Sequence, residues 1–111
     1  MKELKIVLHV DEPGRWMAAL SNLRNLTRDY PAARVRVVVN GEGIYAFQGT
    51  NDLTRRMAGA AGHGVEFQVC ENSLRSHRVD AATLPEYVKP VPAGVVALAE
   101  AQADGFAYIK P

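Results

Sequence analysis

The chain has one cysteine, Cys70, within VEFQVCENSLRSHR, Val65 to Arg78. Val65, Phe67 and Val69 alternate with Glu66, Gln68 and Cys70, the two-residue period of a strand. A short helix is expected directly afterwards, capped by Asn72 or Ser73 and buried through Leu74. A thiol at the end of a strand and facing a helix N-terminus lies in positive potential, which favours the thiolate and hence thiol exchange. Arg75, His77 and Arg78 follow within two turns and can add to that potential, while Glu71 opposes it. The plainer reading of Cys70 is a small buried hydrophobe. Against it, the same strand face carries Glu66 and Gln68, so that face is not a plain apolar core.

His9 and Asp11 close the first apolar run, KIVLHV. A histidine there is either an orienting or proton-carrying group near Cys70 or a residue hydrogen-bonded within the fold. Asp11 is most simply a helix cap. Asn40 and Glu42 lie in the turn NGEG, where Glu42 reads as an exposed rim carboxylate. His77 reads as solvent-exposed. Other chemistries find no support. GAAGHG, Gly59 to Gly64, follows a helix and precedes a strand, the reverse of a dinucleotide fingerprint. Gly41-Glu42-Gly43 lacks the third glycine and the Lys-Ser/Thr of a phosphate loop. No Ser-His-Asp set, CxxC pair or HExxH occurs, and Cys70 with His9 is too little to hold a metal. Neither a metal nor an organic cofactor is expected.

The elements that must position these residues alternate. Strands are expected near 5–10, 34–39, 65–70, 87–91 and 106–110. KIVLHV is apolar on both faces apart from His9, as an interior strand of a parallel sheet would be. Trp16, Leu20, Leu23 and Thr27 recur at helical spacing, and Asp29-Tyr30-Pro31 ends that helix. After RVRVVV and the NGEG turn, Ile44, Tyr45 and Phe47 start a short helix. The next helix, capped by Thr50 or Asn51, carries Leu53, Met57 and Ala60 or Ala61, and Gly62-His63-Gly64 stops it. A further short turn is expected at Ala81 to Leu84. Prolines 85, 90 and 92 bracket the fourth strand and suit an edge position. Ala93 to Ala103 is a helix with Val95, Leu98, Ala99 and Gln102 on one face, stopped by Gly105. This alternation predicts a single α/β domain over residues 1–111, a parallel sheet with helices on both faces.

In such sheets ligands gather beyond the carboxyl ends of the strands. Those ends carry His9 and Asp11, Asn40 and Glu42, Cys70 and Asn72, then Pro92 and Gly94. The composition sets further bounds. A net charge of +1 argues against a nucleic-acid protein that works through a basic surface. The apolar runs are strand-sized, far below the roughly 20 residues of a membrane span. A lone cysteine and an N-terminus without an export signal point to the reducing cytoplasm.

The segments HVDEPGRW, VVVNGEG, VEFQVCENSL, VPAGVVALAEAQADG and FAYIKP, in that order, resemble the DsrE/DsrF-like proteins of sulfur relay over essentially the whole chain. The resemblance implies a three-layer α/β/α domain with a five-stranded parallel sheet, and a homotrimer or homohexamer. Apolar Ile44, Tyr45 and Phe47, in an otherwise loop-like region, would then mark an interface. It also implies a cysteine after a strand that carries sulfur as a persulfide between donor and acceptor proteins, and Cys70 matches that position. Glu71 directly after the cysteine departs from a cationic context. Some subunits of that family serve assembly alone, so the competing reading is a non-catalytic binding module of the same fold. A flavodoxin-like cofactor binder fits less well, because DEPGRW has no phosphate-loop character.

Overall fold

The computed structural model describes residues 3–111. Five parallel strands form one sheet: β1 (Lys5–Val10), β2 (Arg34–Val39), β3 (Glu66–Cys70), β4 (Val88–Val91) and β5 (Ala107–Ile109), in the order β4-β3-β2-β1-β5. The expected strands are all present, with ends shifted by at most a residue. β1 is interior and β4 lies at an edge, where Pro90 removes a donor that no further strand needs.

The order explains the layering. Successive connections β1 to β2 to β3 to β4 step one way across the sheet, and right-handed crossovers put their helices on one face. These are α1 (Trp16–Asp29), α2 (Asp52–Gly62) and the six-residue α3 (Glu71–Ser76), together with a 3₁₀ segment, Gly41–Phe47. The last connection runs back from β4 to β5 across the whole sheet. Its helix, α4 (Gly94–Ala103), therefore falls on the opposite face.

Strand alternation supplies both cores. Leu8, Val10, Val35, Val37, Val39, Phe67 and Val69 pack under Trp16, Leu20, Leu23, Phe47 and Met57. Val7 and Val38 pack under Ala97, Leu98, Ala101 and Phe106. A helix is about 10 Å wide, whereas five strands at about 4.8 Å spacing span roughly twice that. One helix leaves the second face partly open, and its strands accordingly carry polar residues. Arg36, with its side chain 14% exposed, lays its guanidinium 4.4 Å from the centre of the Phe106 ring and its Nε 3.5 Å from Glu66.

Four local expectations are corrected. Asp11 does not cap a helix: Pro13–Arg15 forms an intervening 3₁₀ turn, α1 starts only at Trp16, and Asp11 instead accepts a 2.8 Å bond from Lys110 beyond β5. Neither Asn72 nor Ser73 caps α3, because Cys70 itself occupies the cap position. On α4 the buried residues are Gly94, Ala97, Leu98 and Ala101, so of the expected face only Leu98 is inside. Val95 is 70% exposed, and Ala99 and Gln102 also face out. Finally, Ile44 and Phe47 are not an exposed cluster. They belong to the main core, and only Tyr45 reaches the surface.

The turn after β2 is fixed by close approach. A β-carbon on Gly43 would lie 2.5 Å from the carbonyl oxygen of Val10. The Gly43 carbonyl also accepts a 2.9 Å bond from the Trp16 indole. The NGEG turn is thereby clamped between β1 and α1, which holds Asn40 and Gly41 at the carboxyl edge beside β3. Downstream, Asn51 is the α2 cap: its side chain accepts from the Thr54 N–H at 3.0 Å while the Thr54 hydroxyl takes the Asn51 N–H.

Candidate functional site

Register brings Cys70 its neighbours. Val38 pairs with Gln68 and Cys70 with Val91, so Asn40, Cys70 and Val91 follow one another across the carboxyl edge of the second face. Cys70 has extended dihedrals and ends β3, and α3 begins at the next residue. No loop intervenes, and the chain turns directly around the thiol. Sγ therefore takes the place usually filled by a capping oxygen and accepts from the Ser73 N–H at 3.4 Å.

A second helix meets the same sulfur. Gly94 is the first residue of α4, and a β-carbon there would lie 3.2 Å from Asn40 Cβ and 3.3 Å from both Asn40 Nδ2 and Cys70 Cβ. Without a side chain, the start of α4 can press against Cys70, and the Gly94 N–H lowers the pKa of the thiol. The Ser73 hydroxyl completes the set. It accepts from the Gly41 N–H at 2.9 Å, which leaves its own proton for the sulfur.

The thiol is 6% exposed. Burial pushes its pKa up. The Ser73 hydroxyl and the backbone N–H groups of Gly94, Ser73 and Asn72 pull it down by more, so the net shift is downward. Every one of these donors is neutral. The cations expected to help do not reach the thiol. Arg75 turns outward to Asn72 Oδ1 and Glu71, and Arg78 is exposed with φ +56. His77 is half-buried rather than free in solvent, with Nδ1 2.8 Å from the Tyr45 hydroxyl. Asn72 contributes through its backbone, and its side chain faces solvent.

His9 does not touch Cys70. Its Nδ1 lies 2.6 Å from the Tyr108 hydroxyl and its Nε2 2.8 Å from Asn40 Oδ1. Asp11 and Glu42 line a separate open depression with Glu12 and His77. The Asp11 carboxyl is held below its usual value, first by the Lys110 bond, against burial and with a contribution from His9. Thus Asn40, Cys70 and the Asn72 backbone come together, His9 stands one residue behind, and Asp11, Glu42, Arg75 and His77 lie apart. The residues that sequence reasoning missed are Tyr108, Lys110 and the donor roles of Ser73 and Gly94. A glycine opening a helix was the one available signal, for Gly94. Among the described residues no three His, Cys, Asp or Glu side chains gather as a metal site would need, and no helix is long and apolar enough to cross a membrane.

The fold and this cysteine-bearing edge define a class. The model of the DsrE/DsrF-like family matches residues 11–111, and the chain belongs to that family. Membership speaks for sulfur relay at the level of the family. The chain is similar to a protein of unknown function, MTH1491, from Methanobacterium thermoautotrophicum: identity is 32% and the TM-score 0.90, over 98% of this chain and 100% of that one. It shares its fold with the ychN protein from E. coli, at 13% identity and a TM-score of 0.82, over 97% and 99% of the two chains. No curated protein matches it significantly.

Proposed function

We propose that Cys70 carries sulfane sulfur as a persulfide and passes it to an acceptor thiol. The observation that supports this most is the set of neutral donors, from two helix starts and one hydroxyl, that lowers the pKa of a thiol at the carboxyl edge. In the loading step the Cys70 thiolate attacks the outer sulfur of a donor R–S–S–H. The Sγ–S bond forms as the donor's S–S bond breaks, the electron pair leaves on the donor thiolate, and the proton travels with the outer sulfur. In the unloading step an acceptor thiolate attacks that outer sulfur and expels the Cys70 thiolate. No net oxidation occurs, and no metal or organic cofactor takes part. Such exchange is fastest when the attacking thiol has a pKa near ambient pH, the direction in which Cys70 is moved.

Near-complete burial of Cys70 favours a second reading, in which the thiol is packing and the protein an assembly module. Intact-mass measurement after incubation with a low-molecular-weight persulfide separates the two. The carrier gains the mass of one sulfur atom, loses it to an added thiol, and gains nothing as Cys70→Ser. A wild-type chain that takes up no sulfur leaves the assembly reading.

We further propose a symmetric homotrimer or homohexamer working in the reducing cytoplasm. With Ile44 and Phe47 buried, support comes instead from Val95, Val96, Tyr108 and Ile109, large apolar residues exposed around α4 and β5. Light scattering at micromolar concentration should give a mass of at least three chains, and a monomer would reject this.

A further inference from the structure

A line of side chains runs from β5 toward Cys70. Tyr108 meets His9 Nδ1 at 2.6 Å, and His9 Nε2 meets Asn40 Oδ1 at 2.8 Å. An amide oxygen only accepts, so His9 carries its proton on Nε2; in the neutral ring Nδ1 then accepts from the Tyr108 hydroxyl. With Oδ1 committed to His9, the Asn40 amide has its Nδ2 donor on the side of Gly94. That nitrogen and Cys70 Cβ would each lie 3.3 Å from a β-carbon on Gly94, so the start of α4 packs against both. The donors to Sγ come from Ser73, Gly94 and the Asn72 backbone, and Asn40 is not among them. Its amide is beside the cysteine without serving the bare thiol.

We propose that Asn40 is the residue that holds the outer sulfur of the Cys70 persulfide, and that His9, fixed by Tyr108, is the positioning residue that turns the Asn40 amide for that task. The inference rests on the carrier reading of Cys70. An S–S bond places the outer sulfur about 2.05 Å beyond Sγ, past the reach of donors that converge on Sγ itself. Once its proton has left to solvent, that sulfur is an anion, and a neutral amide N–H stabilises it without forming an ion pair that must be broken on transfer. The charged side chains of α3, Glu71 and Arg75, engage each other at 4.0 Å on the outer side, so the amide is the donor on the inner side. The ligand class is thus an anionic sulfane sulfur.

The test is the lifetime of the loaded persulfide, followed by intact mass after removal of a small persulfide donor, with folding of each variant checked by chemical denaturation. Asn40→Ala should shorten the lifetime about tenfold, the value of one charge-assisted hydrogen bond at roughly 1.4 kcal/mol. Asn40→Asp should shorten it further, by placing a negative charge at the outer sulfur. His9→Ala should follow Asn40→Ala, and His9→Gln, which keeps an N–H toward Oδ1, should restore most of the loss. Lifetimes for Asn40→Ala and His9→Ala equal to wild type, in chains that load normally, would overturn this inference and leave the carrier reading intact. A wild type that loads no sulfur would overturn both. If Asn40→Ala unfolds, the His9 pair decides: equal lifetimes in Ala and Gln variants reject the positioning role.

Discussion

The sheet face under α1 and α2 is closed by large side chains, Trp16, Phe47, Met57, Leu20 and Leu23. The face under α4 is closed by Ala97, Leu98 and Ala101, and borders Arg36, Gln68, His9 and Cys70. Both faces are fed by the same strands, so the difference comes from topology. Three connections share one face, and a single return helix serves the other. The difference teaches where chemistry can be kept. Gly94 at the start of α4 lets that helix approach the thiol, and a partly open face leaves room for polar side chains that a dense apolar core would have to desolvate at a cost.

Substitutions on the two faces should therefore separate stability from chemistry. Phe67, nearly fully buried and edge-on to Tyr87 at 5.5 Å, belongs to the first face. Phe67→Ala should cost about 3–5 kcal/mol in urea denaturation, against about 2 kcal/mol for Leu98→Ala beneath α4. Equal costs would mean that the faces are packed alike. Gly94→Ala should cost about 1–3 kcal/mol, because the added carbon meets Asn40 and Cys70 at 3.2–3.3 Å. Unlike the core variants, it should also raise the alkylation pKa of Cys70, by pushing the α4 N–H off the sulfur. A stable variant with an unchanged thiol would contradict the close approach.

Much of this layout could be read from the sequence. Strand ends came out within a residue because alternation and turn residues coincide, as at VVVNGEG, and the prolines around β4 marked an edge. Three things were hidden. In GVVALAEAQA almost every residue is apolar or small, so the helical period carries no direction and does not distinguish the face that is buried, Gly94, Ala97, Leu98 and Ala101. Ile44 and Phe47 looked loop-like, but a 3₁₀ segment folds both inward. And two contacts at the carboxyl edge, Tyr108 on His9 and Lys110 on Asp11, each join residues 99 positions apart, a pairing that only the β1–β5 neighbourhood creates. The cysteine's position and the helix start it faces were legible; the Ser73 hydroxyl and the Gly94 N–H were not, since a backbone N–H has no residue-type signature and the visible cations proved to face away.

Two smaller effects sharpen the contrast between neutral donors and cations. Ser73→Ala removes the hydroxyl donor while keeping its N–H, and should cost about 0.5–1.5 kcal/mol. It should also flatten the alkaline gain in stability. Because the native thiol has a lowered pKa, stability rises as pH climbs from the native value toward the unfolded one, about 8.5, and is lost on acidification through the native value. Arg75→Ala should leave both stability and thiol titration unmoved, as its guanidinium turns away from Cys70. A raised thiol pKa in that variant would restore the cation as the activating group.

The most direct test of the central claim is the rate of Cys70 alkylation by iodoacetamide across pH, in the folded protein and in the same chain in urea. The account predicts a folded-state midpoint below the unfolded one, unchanged by high salt because the donors are neutral and buried. A folded midpoint at or above the unfolded value, or one that salt abolishes, would contradict it.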